Sequence, residues 1–571
     1  FVQQGNAESN NFGASTGTCQ TGINFFSPPT GGYSADCVNA ITADLKNRSK
    51  FRQTIAEVNL QGGLFELPAG QLRMAIGASY REMNYEFIND TLTTAGRSFQ
   101  DQALGIYPSG DAFGYIDVKE VYGELLIPLL KDIPFIQELN LEVGGRASKY
   151  STTGTSYTYK VLADWHVTDW LRFRGGYNRA ERAPNIGELF LAAQQTFGVN
   201  NRGDVCSALN PNNFSANPAT NAGGAAGARN VEATCRALMT QAGPDGQALY
   251  YGANGTGSPI TIPQAVGSFG FAFPTLVGNP NLTPEKADTW TAGVVISSPF
   301  ASGALSRLRA SVDFYDITIK DAIGAQTIGA VQQQCFDPNF NPLVTGASGS
   351  AAAANTAASN PFCQLLPRNG TGQLGNVKIT YSNAGRVHLR GVDAQLDWGI
   401  DVGPGTFTFN EVFNYQFDFE SSALYPQLPL IDYAGTTGAG ENGLNANPFK
   451  YRSLTNFGYS VGPFRAALQW QYYPKLEDGG EATVPGGTPN QSPYPSYSLF
   501  NLSANYQVNE DIGIRFGVDN LLNKAPPLGN YNNTVTDATS ATTGQLRGGG
   551  FLTGVHDTNG RRFWVGGNVR F

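Results

Sequence analysis

Charge is scarce in this chain. Asp, Glu, Lys and Arg make up 14% of its 571 residues, against about a quarter in ordinary domains. A soluble protein of this length would carry more surface charge and divide into several domains. A long apolar run is also missing. No stretch of about 18 apolar residues exists, which excludes a transmembrane helix. The densest apolar cluster, ELLIPLL at 124–130, is short and carries a proline. A basic excess is missing too: the net charge is −8, and nucleic acid is excluded as a partner. The three histidines, His166, His388 and His556, are scattered, and no C-x₂-C spacing exists. Neither zinc nor a nucleophile triad has the residues it needs, so no metal, cofactor or catalytic group is expected. The first residues, FVQQGNAESNNFGAST, lack the basic and apolar regions of a signal peptide and read as a loop. The chain is therefore expected to be the later part of a longer precursor.

Aromatics and glycine are abundant: 25 Tyr, 35 Phe and 69 Gly. That mixture suits short strands with aromatic girdles, and it is too aromatic for a disordered chain. Period-two alternation marks about fifteen strands. At 510–520, Ile512, Ile514, Phe516 and Val518 share one face and Gly513, Arg515, Gly517 and Asp519 the other. At 391–398, Val392, Ala394, Leu396 and Trp398 oppose Asp393, Gln395 and Asp397. The last segment, GRRFWVGGNVRF, alternates to its final residue. Phe563, Val565, Val569 and Phe571 face one way, and Arg562, Trp564, Asn568 and Arg570 the other. Further strands are expected at 52–61, 71–88, 116–129, 137–150, 155–167, 169–178, 286–297, 305–315, 378–390 (running into 391–398), 406–420, 449–461, 464–475 and 496–508.

Alternation alone does not separate a soluble sandwich from a membrane barrel. The connections do. Short ones (62–70, 131–137, 167–169, 297–303, 401–405, 461–463, 509–511) alternate with long ones (89–115, 182–285, 322–377, 421–448, 476–495, 523–559). The single exception is the short turn near Ser151–Thr155. Short turns on one rim and long loops on the other are the signature of an outer-membrane barrel. The final strand then closes the barrel, and its outward face has to stay uncharged, because Arg or Lys costs about 2–4 kcal/mol at mid-bilayer. With Phe571 taken as periplasmic, counting back puts residues 1–51 outside and leaves the first strand, at 52–61, without a preceding neighbour. Fifteen is odd, whereas single-chain bacterial barrels have even counts, so strands are expected to be missing from the front.

The six cysteines fall two by two into exterior segments: Cys19 and Cys37, Cys206 and Cys235, Cys335 and Cys363. None lies in an expected strand. This points to disulfides in an oxidising compartment, each closing a loop at about 3–4 kcal/mol.

Several motifs together resemble one family. YNRAERAPNIGELF (177–190), GNPNLTPEKADTWTAGV (278–294), VDFYDITIKDAI (312–323), RGVDAQLDW (390–398), FGVDNLLNKAPP (516–527) and the terminal strand occur in the order found in TonB-dependent receptors. Leu522 stands where the family usually has Phe. LPAGQLRMAIGASYR (67–81) and EVYGELLIPLL (120–130) fit the family's large branch, with long Cys-bearing loops. The resemblance implies an all-β transmembrane antiparallel barrel of 22 strands, of which this chain holds about fifteen, with the N-terminal plug and first strands absent. It implies a location in the outer membrane of a Gram-negative bacterium, with long loops extracellular and the C-terminus periplasmic. The implied partners are outer-membrane lipid, the TonB–ExbB–ExbD complex acting through the plug, the Bam assembly machinery reading the last strand, and a small-molecule nutrient. The implied function is energised uptake of a scarce bulky nutrient such as a ferric siderophore, oligosaccharide or cobalamin. The competing readings are a passive pore or adhesive barrel without a plug, and a soluble β-rich binding protein or glycosidase.

The family motif residues are Arg182, Pro184, Glu188, Asn281, Pro284 and Glu285. Arg182, Asn185 and Glu188 are expected either to hold plug or loop or simply to pack. Ligand contacts are expected from aromatics of the longest loop, Tyr250, Tyr251, Phe269, Phe271 and Phe273, which can stack on sugars or chelator rings; the alternative is that they form the loop's own small core. Arg172, Arg174, Asp393 and Asp397 are expected to pair across strands or to meet the plug.

Overall fold

A computed structural model describes residues 29–41, 45–90, 109–195, 198–200, 204–208, 210, 212–243, 270–272, 274–368, 370, 372, 374–375, 377–422, 430–436, 449–477, 494–527, 529–530, 549–550 and 555–570. Fifteen long strands dominate it. They are β1 (Arg48–Leu67), β2 (Gly70–Ile88), β3 (Ala112–Ile133), β4 (Ile136–Tyr150), β5 (Gly154–Thr168), β6 (Leu171–Arg182), β7 (Glu285–Ser297) and β8 (Arg307–Ala325). Then follow β9 (Lys378–Val402), β10 (Gly405–Ser421), β11 (Tyr451–Val461), β12 (Phe464–Tyr473), β13 (Tyr497–Gln507), β14 (Ile512–Asp519) and β15 (Arg562–Val569). Each pairs antiparallel with the next in chain order, as one meander. Every expected strand is present. Among the described residues β1 pairs only with β2 and β15 only with β14. Phe571 lies outside the described residues.

Several strands run further than alternation suggested, among them β1, β3 and β8, whereas β11 to β15 lie within the expected bounds. β1 starts at Arg48, inside the expected exterior segment 1–51, because Arg48 pairs with Ile88 and its guanidinium meets Glu86. The expected short connections at 62–70 and 131–137 shrink to Pro68–Ala69 and Pro134–Phe135. Pairing continues to Leu67↔Gly70 and Ile133↔Ile136. Proline sits at each turn, where no ladder N–H is needed.

Register sorts the side chains onto two faces. Val518 lies opposite Phe563, Phe516 opposite Val565 and Ile512 opposite Val569. These groups are not covered by a second sheet: Phe563 is 75% and Val565 78% exposed. Two aromatic rows border the apolar face. Trp165–Phe173 (5.5 Å) and Trp398–Phe407 (6.1 Å) lie toward the short turns. Tyr177–Trp290 (4.7 Å), Tyr415–Tyr451 (6.2 Å) and Tyr451–Tyr472 (6.0 Å) lie toward the long loops. From Phe407 to Tyr415 the strand advances about 27 Å, or about 20 Å along the normal once strands tilt by about 40°. That matches the apolar band of an outer-membrane barrel, about 25 Å tall. Among the described residues, one side chain breaks the uncharged character of the band: Glu411, in the middle of β10.

The opposite face is a continuous polar net. Asn414 Nδ2 donates to Asp393 Oδ1 (2.7 Å) and Asn410 Nδ2 to Asp397 Oδ1 (2.6 Å). Asn456, Gln469 and Asn501 extend the chain of amides at 3.1–3.2 Å across β11 to β13.

Because the two faces alternate residue by residue, neighbouring substitutions are expected to differ sharply. Phe413→Arg, on the apolar face, is expected to lower unfolding stability in phospholipid vesicles by about 2–4 kcal/mol. Val412→Arg, on the polar face, is expected to change it by less than about 1 kcal/mol. Urea titration of the two reconstituted variants measures both; equal losses would contradict the assignment of faces.

Candidate functional site

Among the described residues, the long-loop rim carries the largest cluster of buried apolar side chains and several polar constellations. The first is a clasp at the top of β6. Arg182 lies opposite Glu285 in the ladder, and its Nε donates to Glu285 Oε2 at 2.6 Å. Nη1 and Nη2 grip Glu188 at 3.0 Å each, a two-pronged guanidinium–carboxylate pair. Glu188 belongs to a short helix (Ile186–Phe190) with a capping box: Asn185 Oδ1 accepts from the Glu188 N–H (2.9 Å), and Glu188 accepts from the Asn185 N–H (2.8 Å). Glu285 Oε1 accepts from the Ile323 N–H at 2.5 Å, so the clasp spans β6, β7 and β8. Pro184 and Pro284 are buried at its base, and Asn281 is exposed, its N–H donating to Asn279 Oδ1 (3.0 Å). Leu189 of the short helix packs with Ile116 and Leu282. Gly278 passes so close that a Cβ there would lie 2.5 Å from the Leu191 nitrogen. Five of the six motif residues thus converge on one joint. Asn383, which that reading did not single out, completes it: its Oδ1 accepts from the Thr283 N–H (2.8 Å) and its Nδ2 donates to Thr283 O (2.7 Å).

Above the clasp, segments 182–285 and 322–377 are not separate loops. Helices Gly224–Ala242, Ile328–Phe336 and Ala351–Ala358 form one cap with a shared core. The first helix buries Val231, Thr234, Cys235 and Leu238, an i, i+3, i+4, i+7 stripe, together with Ala228 and Met239. The other two start at Thr327 and Ser350, whose hydroxyls accept from Ala330 and Ala353 N–H (3.1 Å each). Disulfides Cys206–Cys235 and Cys335–Cys363 pin each segment. Cys37 is disulfide-bonded as well; Cys19 lies outside the described residues. A buried ion pair joins the two segments: the Arg368 side chain is 1% exposed, its Nη2 donates to Asp204 Oδ1 (3.0 Å) and Nη1 contacts Oδ2. Nothing in the local sequence pairs two residues so far apart.

Tyr250, Tyr251, Phe269 and Phe273 lie outside the described residues. Phe271 is described only in its backbone, in a short ladder of Gly270–Ala272 with Gly198–Asn200.

Below the rim, the polar face encloses a cavity of about 580 Å³ lined by Asp164, Arg172, Arg174, Asp313, Tyr315 and Asp393 among others. Its arginines are paired. Arg172 Nε donates to Asp164 Oδ1 (2.6 Å), on the adjacent strand. Arg174 reaches past β7 to Asp313, with two bonds of 2.7 and 2.6 Å. Gly293 stands between them in register, and a Cβ there would lie 2.0 Å from Asp313 Oδ1. The glycine clears the path for the ion pair.

At the exit of β14, Asn520 Nδ2 donates to Lys524 O (2.9 Å) and Asp557 Oδ2 (2.8 Å); Leu522 is exposed. Nearby His556 is buried edge-on to Tyr497, with ring centroids 5.0 Å apart. Burial pushes its imidazole down to about 4, because the charged form loses its hydration.

Two outcomes are expected. Arg368→Met leaves Asp204 buried without its cation, so the cap is expected to lose about 3–5 kcal/mol while the strands stay folded; limited proteolysis of the cap against strand circular dichroism measures this. For His556, the unfolded imidazole titrates near 6.5. Its contribution is complete above that pH and is lost progressively as pH falls toward 4, since the open form then binds the proton first. Hydrogen exchange at 494–500 and 555–561, corrected for intrinsic rate, should reveal an opening constant about twentyfold higher at pH 5 than at pH 7. His556→Phe should remove that dependence.

Comparison with known proteins gives the fold its relatives. The family model described as TonB dependent receptor-like, beta-barrel matches residues 3–521. The heme/hemopexin utilization protein C of Haemophilus influenzae is 35% identical over 99 residues, 16% of this chain and 13% of that protein. The ferric enterobactin receptor PfeA of Pseudomonas aeruginosa matches in structure with a TM-score of 0.51 at 13% identity, covering 92% of this chain and 54% of that one. The siderophore receptor PirA of Acinetobacter baumannii has a TM-score of 0.49 at 15% identity, covering 94% and 57%. The chain therefore spans little more than half the length of these receptors. With its meander of fifteen strands, its two aromatic rows and a family match over most of its length, the chain belongs to the TonB-dependent receptor β-barrel family of the outer membrane.

Proposed function

We propose that this chain forms the barrel portion of an energised outer-membrane receptor that takes up an iron-bearing ligand, a ferric siderophore or haem. The cap carries the reading: two long segments fused into one disulfide-pinned unit sit on the rim above a polar interior. A passive pore has no use for so large a structured cap. The long-loop rim faces outward, with 182–285 and 322–377 meeting the ligand, and the C-terminal strand ends on the periplasmic side and is read by the Bam machinery. The paired arginines and carboxylates of the polar face meet a plug, through which the TonB–ExbB–ExbD complex supplies energy. The names of the relatives favour iron compounds over oligosaccharides or cobalamin.

The test uses the complete receptor in cells lacking their other iron receptors. ⁵⁵Fe-catecholate and ⁵⁵Fe-haem uptake is measured with and without a protonophore. Accumulation of one of them is expected, falling at least about tenfold when the proton gradient collapses while surface binding persists. Uptake indifferent to the gradient, together with a steady single-channel conductance, would establish the pore instead.

A further inference from the structure

Past the aromatic row on the long-loop side, the lipid-facing side chains of the strands turn from apolar to charged. From β6 to β10 the first of these charges are neutralised. Arg179 Nη1 lies 3.2 Å from Asp288 Oδ1, His388 bonds both Asp316 and Glu420 at 3.0 Å, and Arg390 Nε donates to Asp418 Oδ2 at 2.8 Å. One step further up, cations stand side by side. Lys286 lies directly opposite Lys320. A bulge then sets Lys320 and Asp321 against Arg386, since Ile319 pairs with Val387 and Ala322 with Gly385. A second lysine pair, Lys119 opposite Lys149, stands on β3 and β4. The parity is that of the lipid face. Lys286 comes four residues before Trp290 on β7, and Lys149 pairs with Thr155, two residues before Tyr157 on β5. Trp290 and Tyr157 are 59% and 62% exposed on that face.

Among the described residues none of the five cations makes an ion pair, and Lys119, Lys149, Lys320 and Arg386 are exposed. Glu181 lies opposite Lys286 and Asp321 beside Lys320, and neither carboxylate closes a bridge. Like charges directly opposite in a ladder repel and weaken the pairing, and here the arrangement occurs twice. The other rim has no such row on this face: past Trp398 and Phe407 come Ile400, Val402 and Val461. Height identifies the medium. Four residues beyond Trp290 is about 14 Å along the strand, or about 10 Å along the membrane normal at a tilt of about 40°. These side chains therefore stand among lipid headgroups, above the hydrocarbon.

Neighbouring strands are about 4.8 Å apart, so the cations of each group can converge on one anion. A phosphate fits: it offers several charged oxygens, and Lys and Arg are its usual partners. We propose that Lys286, Lys320 and Arg386 form one cradle, and Lys119 with Lys149 a second, for phosphate groups of lipid in the outer leaflet. The phosphate charge offsets the repulsion within each lysine pair, and the acyl chains of the same lipid run down past Trp290 and Tyr157. The proposal rests on the outward placement of the long-loop rim and is independent of the ligand carried.

The test uses the complete receptor in detergent micelles, with bound lipid counted by native mass spectrometry. The probes are lipid A, a glycolipid with two phosphates, and its dephosphorylated form. Each cation beside an anionic headgroup contributes about fivefold, so lipid A is expected to bind at least about tenfold more tightly than the dephosphorylated form. The triple change Lys286→Gln, Lys320→Gln, Arg386→Gln is expected to remove at least about tenfold of that affinity, and Lys119→Gln with Lys149→Gln a smaller part. Lys131→Gln, at the opposite rim, should leave it unchanged. Without lipid A, both multiple variants should unfold at a temperature no lower than the wild type, because repulsion is relieved; this shows that they fold. Equal binding of the two lipids, variants that bind like the wild type, or a Lys131→Gln variant that loses as much would each overturn the proposal. Displacement of the lipid by inorganic phosphate would assign the cradles to a free anion instead. Trypsin digestion of intact cells separates the two readings: a cap sealed from outside would sink the placement, whereas an accessible cap with no phosphate preference would sink the cradles alone.

Discussion

Every other feature of this molecule depends on the antiparallel hydrogen-bond ladder that runs from β1 to β15. In lipid, each unpaired backbone N–H or C=O costs several kcal/mol, and from β2 to β14 every strand has a neighbour on both sides to complete its bonding. Once the ladder is fixed, the two-residue period leaves no freedom about which side chains face which medium. A slip of one residue would turn Arg515 and Asp519 toward hydrocarbon and Phe516 and Val518 toward the interior. The register Phe516↔Val565 and Asp519↔Arg562 is thus held by solvent on both sides.

The polar face uses this rigidity. Arg174 and Asp313 sit two strands apart, and they meet because Gly293 leaves out a side chain at the crossing point. Arg182 performs the same kind of bridging at the rim, joining the ladder through Glu285 to a helix through Glu188. The Arg182 pairs hold the cap's base to the strands. The cap keeps its own shape through a separate core and two disulfides, so the rim joins two units with different sources of stability.

Much of this was legible in the chain as a string. Alternation located all fifteen strands, short and long connections gave the two rims, and the pairing of cysteines within segments matched the disulfides 206–235 and 335–363. Strand ends were less legible, because pairing extends into residues such as Gly62–Leu67 whose own pattern is irregular, with a bulge between Gly63 and Glu66. The cap's unity was not legible at all. Asp204 and Arg368 read as two unremarkable charges in two loops, and no local pattern places them in contact. Glu411 was missed for a related reason: in FTFNEVFNYQF it reads as one more polar residue among several, and only the count across β9 to β11 assigns it to the apolar side.

The sequence by itself determined the local period, the rims and the membrane class, because alternation and turn chemistry act over a few residues and hydrocarbon tolerates few exceptions. Tertiary structure alone decided which strand lies beside which charge, how two distant segments merge into one cap, and where Glu411 faces. Those outcomes come from contacts between residues tens to hundreds of positions apart, and their energies exist only once the ladder has set the distances.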